Sequence, residues 1–190
     1  TGGFCSGTLI APDQVLTAAH CLWNKRTNRW LGADALHFLP GYNRGKYLAH
    51  AQVSAVRHAA DVVMDRQGHP SDPATDWAVL TLASALPARP NLRPIALASA
   101  ADLAALHEGT ALLQAGYSRD RAHMLTVVDP CQLVGRRQSR AESGAESGAG
   151  MLLYHDCDAT FGDSGSPVLV RVGDGLRIVG IHVAAVQRDG

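Results

Sequence analysis

The first thing missing from this sequence is a charge imbalance. Across 190 residues, 17 Lys and Arg face 17 Asp and Glu, so the formal net charge is zero. A sequence-independent grip on nucleic acid needs a basic face, and nucleic-acid partners are set aside on that ground. No uncharged apolar run approaches the ~18 residues of a membrane span. The opening Thr-Gly-Gly-Phe-Cys has no basic segment followed by an apolar stretch, so it does not read as a secretory leader. Cysteines are few, at positions 5, 21, 131 and 157, and none forms the close pair of a zinc ribbon. The remaining histidines are scattered, and no metal or cofactor is expected.

Helical periodicity is also scarce. Residues 99–106 (Ser-Ala-Ala-Asp-Leu-Ala-Ala-Leu) predict one short helix, and residues 18–22 at most a single turn. Without longer helices between strands, a parallel α/β sheet is excluded. What is abundant is short Val-, Leu- and Ile-rich runs bounded by Gly, Pro, Asn and Asp. They fall at 7–10, 15–18, 78–82, 94–98, 111–116, 124–128, 151–155, 167–172 and 176–182. Runs of this length predict an all-β protein. Apolar residues make up 46% and charged residues 18%, which excludes a disordered chain. A chain of this length buries roughly 70% of its unfolded surface. Residues 83–93, with Pro87 and Pro90, predict a connector between two halves, 1–88 and 89–190, of one domain. Residues 61–75 and 136–150 predict surface loops.

Four cysteines allow three full pairings. Pairing Cys5 with Cys21 and Cys131 with Cys157 gives two local loops, each adding about 3 kcal/mol by chain entropy. Four buried thiols are the alternative. An even count with paired spacing favours an oxidising compartment, hence a secreted or periplasmic protein.

Three separated segments carry chemistry. In the first, Thr-Ala-Ala-His20-Cys21 follows a strand, a Pro-Asp turn and a second strand, which delivers His20 at a strand end. An imidazole acting as general base needs a fixed orientation, and a disulfide beside it supplies rigidity. In the second, Asp76 opens the apolar run Trp-Ala-Val-Leu-Thr-Leu, where a carboxylate at the edge of a core can orient a histidine. The third, Gly162-Asp163-Ser164-Gly165-Ser166-Pro167, flanks a serine with glycines. Such a turn lets the amides of Gly162 and Ser164 point together at a developing oxyanion. The order His, Asp, Ser excludes an α/β-hydrolase, which runs Ser, acid, His, and a subtilisin, which runs Asp, His, Ser.

On these motifs, over nearly the whole chain, the sequence resembles the chymotrypsin-fold, trypsin-like serine proteases, nearest the bacterial trypsin-like and glutamyl endopeptidase branch. The resemblance implies two antiparallel six-stranded β-barrels with the active site in the cleft between them. It implies His20 as general base and acid, Asp76 as its orienting carboxylate and Ser164 as nucleophile. Gly162 and Ser164 would supply the oxyanion-hole amides. The usual first strand and C-terminal helix are expected to be missing from this chain.

In trypsin-type relatives the acid before the nucleophile, here Asp163, pairs with a freshly cut amino terminus, but no Ile-Val-Gly-Gly start is present. Specificity is drawn two ways. Asp158 sits where trypsins keep the acid that attracts Arg or Lys, and His182 matches the histidine with which glutamyl endopeptidases receive Glu. Protein or peptide substrates are expected. The rival from another class is a catalytically idle, protease-like module that holds peptides without cutting them.

Overall fold

In the computed structural model, residues 3–121, 123–139, 150–160 and 162–185 are described. The chain is built almost entirely of antiparallel strands, in two curled sheets. The first half contributes β1 (Thr8–Ala11), β2 (Gln14–Thr17), β3 (Trp23–Asn24), β4 (Arg29–Trp30), β5 (His37–Phe38), β6 (Ala51–His58) and β7 (Ala78–Leu82). The second contributes β8 (Ala111–Gly116), β9 (Thr126–Gln138), β10 (Met151–His155), β11 (Pro167–Val172) and β12 (Gly175–Ile181). One sheet runs β1-β2-β7-β6-β5 and the other β10-β9-β8-β11-β12, while β3 and β4 form a small ribbon. Among the described residues each sheet thus has five strands, where the resemblance implied six.

Each sheet curls around its own apolar cluster. Leu9, Val15, Leu22, Val53, Leu80 and Leu82 fill the first. Leu112, Leu133, Val168 and the Cys131–Cys157 bridge fill the second. A third cluster joins the halves: Leu113, Leu169 and Ile178 of the second sheet take up Ile10 and Leu16 of the first. Burial of that shared apolar surface holds the halves in register across the seam.

Departures from the sequence reading have local causes. Residues 94–98 are extended but form no named strand. They lie between β1 and β12, with the Ile95 amide donating to the Leu9 carbonyl (2.9 Å) and the Ala98 amide to the Ile178 carbonyl (2.8 Å). Only one bridge, Leu97 with Ile178, results. The strand expected at 124–128 starts at Thr126 and runs on to Gln138, so residues 136–138 are strand rather than loop. Its register against β8 slips between Leu112 and Gln114, opposite Pro130, which has no amide proton to offer a ladder. Residues 140–149 of the expected 136–150 loop lie outside the described residues.

β6 was not expected. Its Ala-Gln-Val-Ser-Ala-Val-Arg-His has few strong strand formers, and pairing with both β5 and β7 decides its conformation. The helix expected at 99–106 is α1 (Ala100–Ala104), shorter because Leu106 leaves it for the second core. Ser99 caps it, accepting from the Asp102 amide while the Asp102 carboxylate accepts from the Ser99 amide.

Leu133 is 1% exposed at the centre of the second cluster. Leu133→Ala should lower unfolding free energy by about 2–5 kcal/mol, read as a shifted urea midpoint.

Candidate active site

Register brings the first two residues together. β2 and β7 are antiparallel neighbours with Thr17 opposite Ala78, so the end of one strand lies beside the start of the other. His20 is three residues past Thr17, in the single 3₁₀ turn Ala19–Leu22, and Asp76 is two residues before Ala78. A second 3₁₀ turn, Pro73–Thr75, delivers Asp76. Asp72 caps it, its carboxylate accepting from the Ala74 amide at 2.9 Å. The segment 61–75, read from sequence as a loop without a role, therefore ends in the turn that sets this carboxylate.

Asp76 is 2% exposed, and both its oxygens are used by His20. Oδ1 accepts from the His20 amide at 2.8 Å, and Oδ2 lies 2.7 Å from His20 Nδ1. A carboxylate accepts only, so Nδ1 carries the proton and Nε2 is left as an acceptor. Nε2 lies 2.8 Å from Ser164 Oγ. Asp76, His20 and Ser164 thus form one hydrogen-bonded chain from a buried carboxylate to a hydroxyl.

Ser164 sits in the turn that leads into β11, and both halves of the molecule fasten that turn. From the first half, the Ser6 amide donates to the Ser164 carbonyl at 2.8 Å. The Ser6 hydroxyl donates to the Gly162 carbonyl at 3.1 Å and accepts from the Tyr117 amide at 2.9 Å. From the second half, the Gly165 amide donates to the His182 carbonyl and the His182 amide to the Ser166 carbonyl, each at 2.8 Å.

Gly162 and Gly165 have φ of 99° and 81°, a region side chains rarely adopt. A Cβ at 165 would also run into the Ser6 carbonyl and the Thr17 hydroxyl, so this turn can approach β2 only with glycine there. Among the described residues, the Gly162 and Ser164 amides donate to no acceptor. Two unengaged amides on the turn that carries Ser164 are what an oxyanion there would need.

Cys5 and Cys21 are joined, which ties the segment carrying Ser6 to the residue after His20. Cys131 and Cys157 are joined within the second core. Cys5, His20 and Cys21 place potential ligand atoms within 4.8 Å of one another. Both sulfurs are consumed in the disulfide, however, and both ring nitrogens face Asp76 and Ser164, so the trio is not an available donor set.

The two specificity candidates differ in placement. Asp158 is exposed and makes no hydrogen bond or ion pair among the described residues. Ala185 is also exposed. His182 is 7% exposed beside the turn that carries Ser164, with Nδ1 3.4 Å from Nε2 of His155. Burial pushes His182 down to about 4, with the neighbouring His155 adding to the effect. Burial also pushes His155 below the usual histidine range. Sequence reading set His155 aside with the other scattered histidines and gave Ser6 and Ser118 no role, since only their tertiary partners mark them. A cavity of about 350 Å³ lined by Asp76, Trp77, Leu153 and Val179 opens between β10 and β12, and Ser164 is not part of its wall.

With this geometry in place, comparison with known families adds one finding. Residues 1–190 match the family model Trypsin. The chain belongs to the trypsin family. That membership supports a serine peptidase function and agrees with the all-β, two-half-barrel architecture of chymotrypsin type. Trypsin-like domains with disulfides are typical of extracellular proteins. No helix among the described residues is long and apolar enough to cross a membrane.

His182 also sets a pH dependence. Its folded value lies below the unfolded 6.5, so the unfolded chain binds the extra proton first. Its contribution is intact above pH 6.5 and is lost as pH falls towards 4, at up to about 1.4 kcal/mol per unit. Melting temperature should therefore fall across that window, and His182→Gln should flatten the fall.

Proposed function

We propose that this trypsin-family chain is a serine endopeptidase working through an acyl-enzyme, with Ser164 as nucleophile, His20 as base and acid, and Asp76 as orienting group. The reading is carried by the unbroken hydrogen-bond chain Asp76–His20–Ser164. The Ser164 Oγ bonds to the scissile carbonyl carbon while its proton passes to His20 Nε2. The carbonyl oxygen takes up negative charge and is met by the Gly162 and Ser164 amides. As the intermediate collapses, the C–N bond breaks and His20 gives its proton to the leaving amine. Water then attacks the acyl-enzyme, loses a proton to His20, and Ser164 recovers its own. Asp76 stays ionised throughout, holding the ring's tautomer and offsetting the imidazolium charge.

In the same reading, residues 1–88 and 89–190 are the two halves of one peptidase unit acting on proteins or peptides, with the site at their seam. The two disulfides support a secreted or periplasmic setting.

For the residue before the scissile bond, the reading favours an acidic side chain and so the glutamyl endopeptidase branch. What supports this is that His182 is hydrogen-bonded to the nucleophile turn through its backbone, while Asp158 is exposed and bonds to nothing among the described residues. A peptide library should show cleavage after Glu that His182→Gln abolishes. Cleavage after Arg or Lys that Asp158→Asn abolishes would reverse the assignment.

Labelling with a fluorophosphonate tests the chemistry itself. The folded chain should be modified at Ser164, and Ser164→Ala should not be modified at all. A folded chain that takes up no label would point instead to a protease-like module that binds peptides without cutting them.

A further inference from the structure

Residues 23–30 read Trp-Asn-Lys-Arg-Thr-Asn-Arg-Trp, three cations and no acid in a chain of zero net charge. They fold into the two-stranded ribbon of β3 and β4, with Trp23 opposite Trp30 and Asn24 opposite Arg29. Lys25, Arg26 and Arg29 are all exposed. Among the described residues, no ion pair or hydrogen bond engages any of these three side chains. Asp65, in the neighbouring turn that ends at Gly68, is already taken by His69. Its Oδ1 accepts from the His69 amide at 2.8 Å and its Oδ2 lies 3.3 Å from His69 Nδ1.

The ribbon is braced at both ends. At the tip, Asn24 Oδ1 accepts from the Arg26 amide at 3.0 Å and the Thr27 amide at 3.3 Å, and the Asn24 carbonyl accepts from the Asn28 amide at 2.8 Å. At the base, Trp23 and Trp30 meet edge to face with centroids 5.1 Å apart, and Trp30 stacks on His58 of β6 at 4.3 Å. The Lys25 stem lies against Gly68, where a Cβ would come within 2.9 Å of Lys25 Cε. The three cations are therefore presented from a fixed backbone, which has little ordering left to lose when a ligand docks.

Their place in the molecule names the ligand. The ribbon begins three residues after His20, and Cys21 Sγ lies 3.9 Å from the Ser164 carbonyl oxygen. In the peptidase reading His20 protonates the leaving amine, so the leaving segment of a substrate departs past the residues around His20. From Cys21 to Lys25 an extended chain spans about 13 Å, which is also the reach of about four residues of leaving segment.

We propose that the ribbon of residues 23–30 docks acidic side chains in the leaving segment of the substrate, with Lys25, Arg26 and Arg29 as the recognising cations. The inference rests on the peptidase reading above and extends it to a substrate class: proteins with Asp or Glu within about four residues after the scissile bond. Ammonium and guanidinium groups free of internal partners are complementary to such carboxylates. Because these cations are exposed, they act on capture of the substrate, and salt screens them.

The test uses two peptide sets that share one acyl side and carry either Asp and Glu or Lys at the second to fourth positions after the scissile bond. Wild type should cleave the acidic set with kcat/KM about 10-fold higher at about 0.02 M salt, carried by KM, and about 0.5 M salt should erase most of that preference. The triple variant Lys25→Gln, Arg26→Gln, Arg29→Gln should lose the preference, and Lys25→Glu, Arg26→Glu, Arg29→Glu should reverse it. A urea midpoint checks that each variant folds, and the salt dependence of wild type tests the inference without either.

A wild type that treats both sets alike, whether or not it is retained on heparin, would overturn the inference and leave the peptidase reading standing. So would a preference that survives both variants, or one that follows acids placed before the scissile bond. If neither set is cleaved and Ser164 takes up no fluorophosphonate, both readings fall.

Discussion

One buried carboxylate with two donors from a single residue is the interaction on which the rest of the site depends. Asp76 could not be held out of water alone, and the His20 amide and ring between them satisfy both its oxygens. That arrangement requires the ends of β2 and β7 to be side by side, which their register provides. It also requires two one-turn 3₁₀ helices, one after β2 and one before β7, to aim a side chain each at the same point. A one-residue slip between these strands would turn the side chains to opposite faces and separate Asp76 from His20.

The turn that carries Ser164 shows the complementary design. It carries few apolar side chains of its own, and its shape comes from hydrogen bonds made by its neighbours. Ser6 reaches it from the first half at two carbonyls, His182 from the second at two backbone positions, and Ser118 through Asp163. The seam formed by Ile10, Leu16, Leu113, Leu169 and Ile178 keeps these anchors in place. A rigid apolar joint between sheets thus supports a polar turn that could not keep its geometry unaided.

Much of this was legible in the sequence, for identifiable reasons. Strands such as β7, β8 and β11 have β-branched or leucine-rich runs between turn residues, so local preference and tertiary pairing agree. The helix at Ser99 was readable because its cap is a local device. β6 was not, since its alanines, glutamine and histidine take strand form only between two partners. The segment 94–98 misled in the other direction: its apolar run was real, yet it lies between two strands with a single bridge rather than a ladder.

The sequence by itself determined the chemistry on offer. His20, Asp76 and Ser164 are marked by their neighbours in the chain, because a strand end, an apolar run and flanking glycines are local features. Only the tertiary structure decided which uncharged groups hold those residues in place. Ser6, Ser118 and His155 lie among ordinary residues and take their meaning from partners 156, 45 and 27 positions away. A serine's hydroxyl does the same local chemistry anywhere in a chain, and what distinguishes one from another is the carbonyl or carboxylate that the fold brings to it.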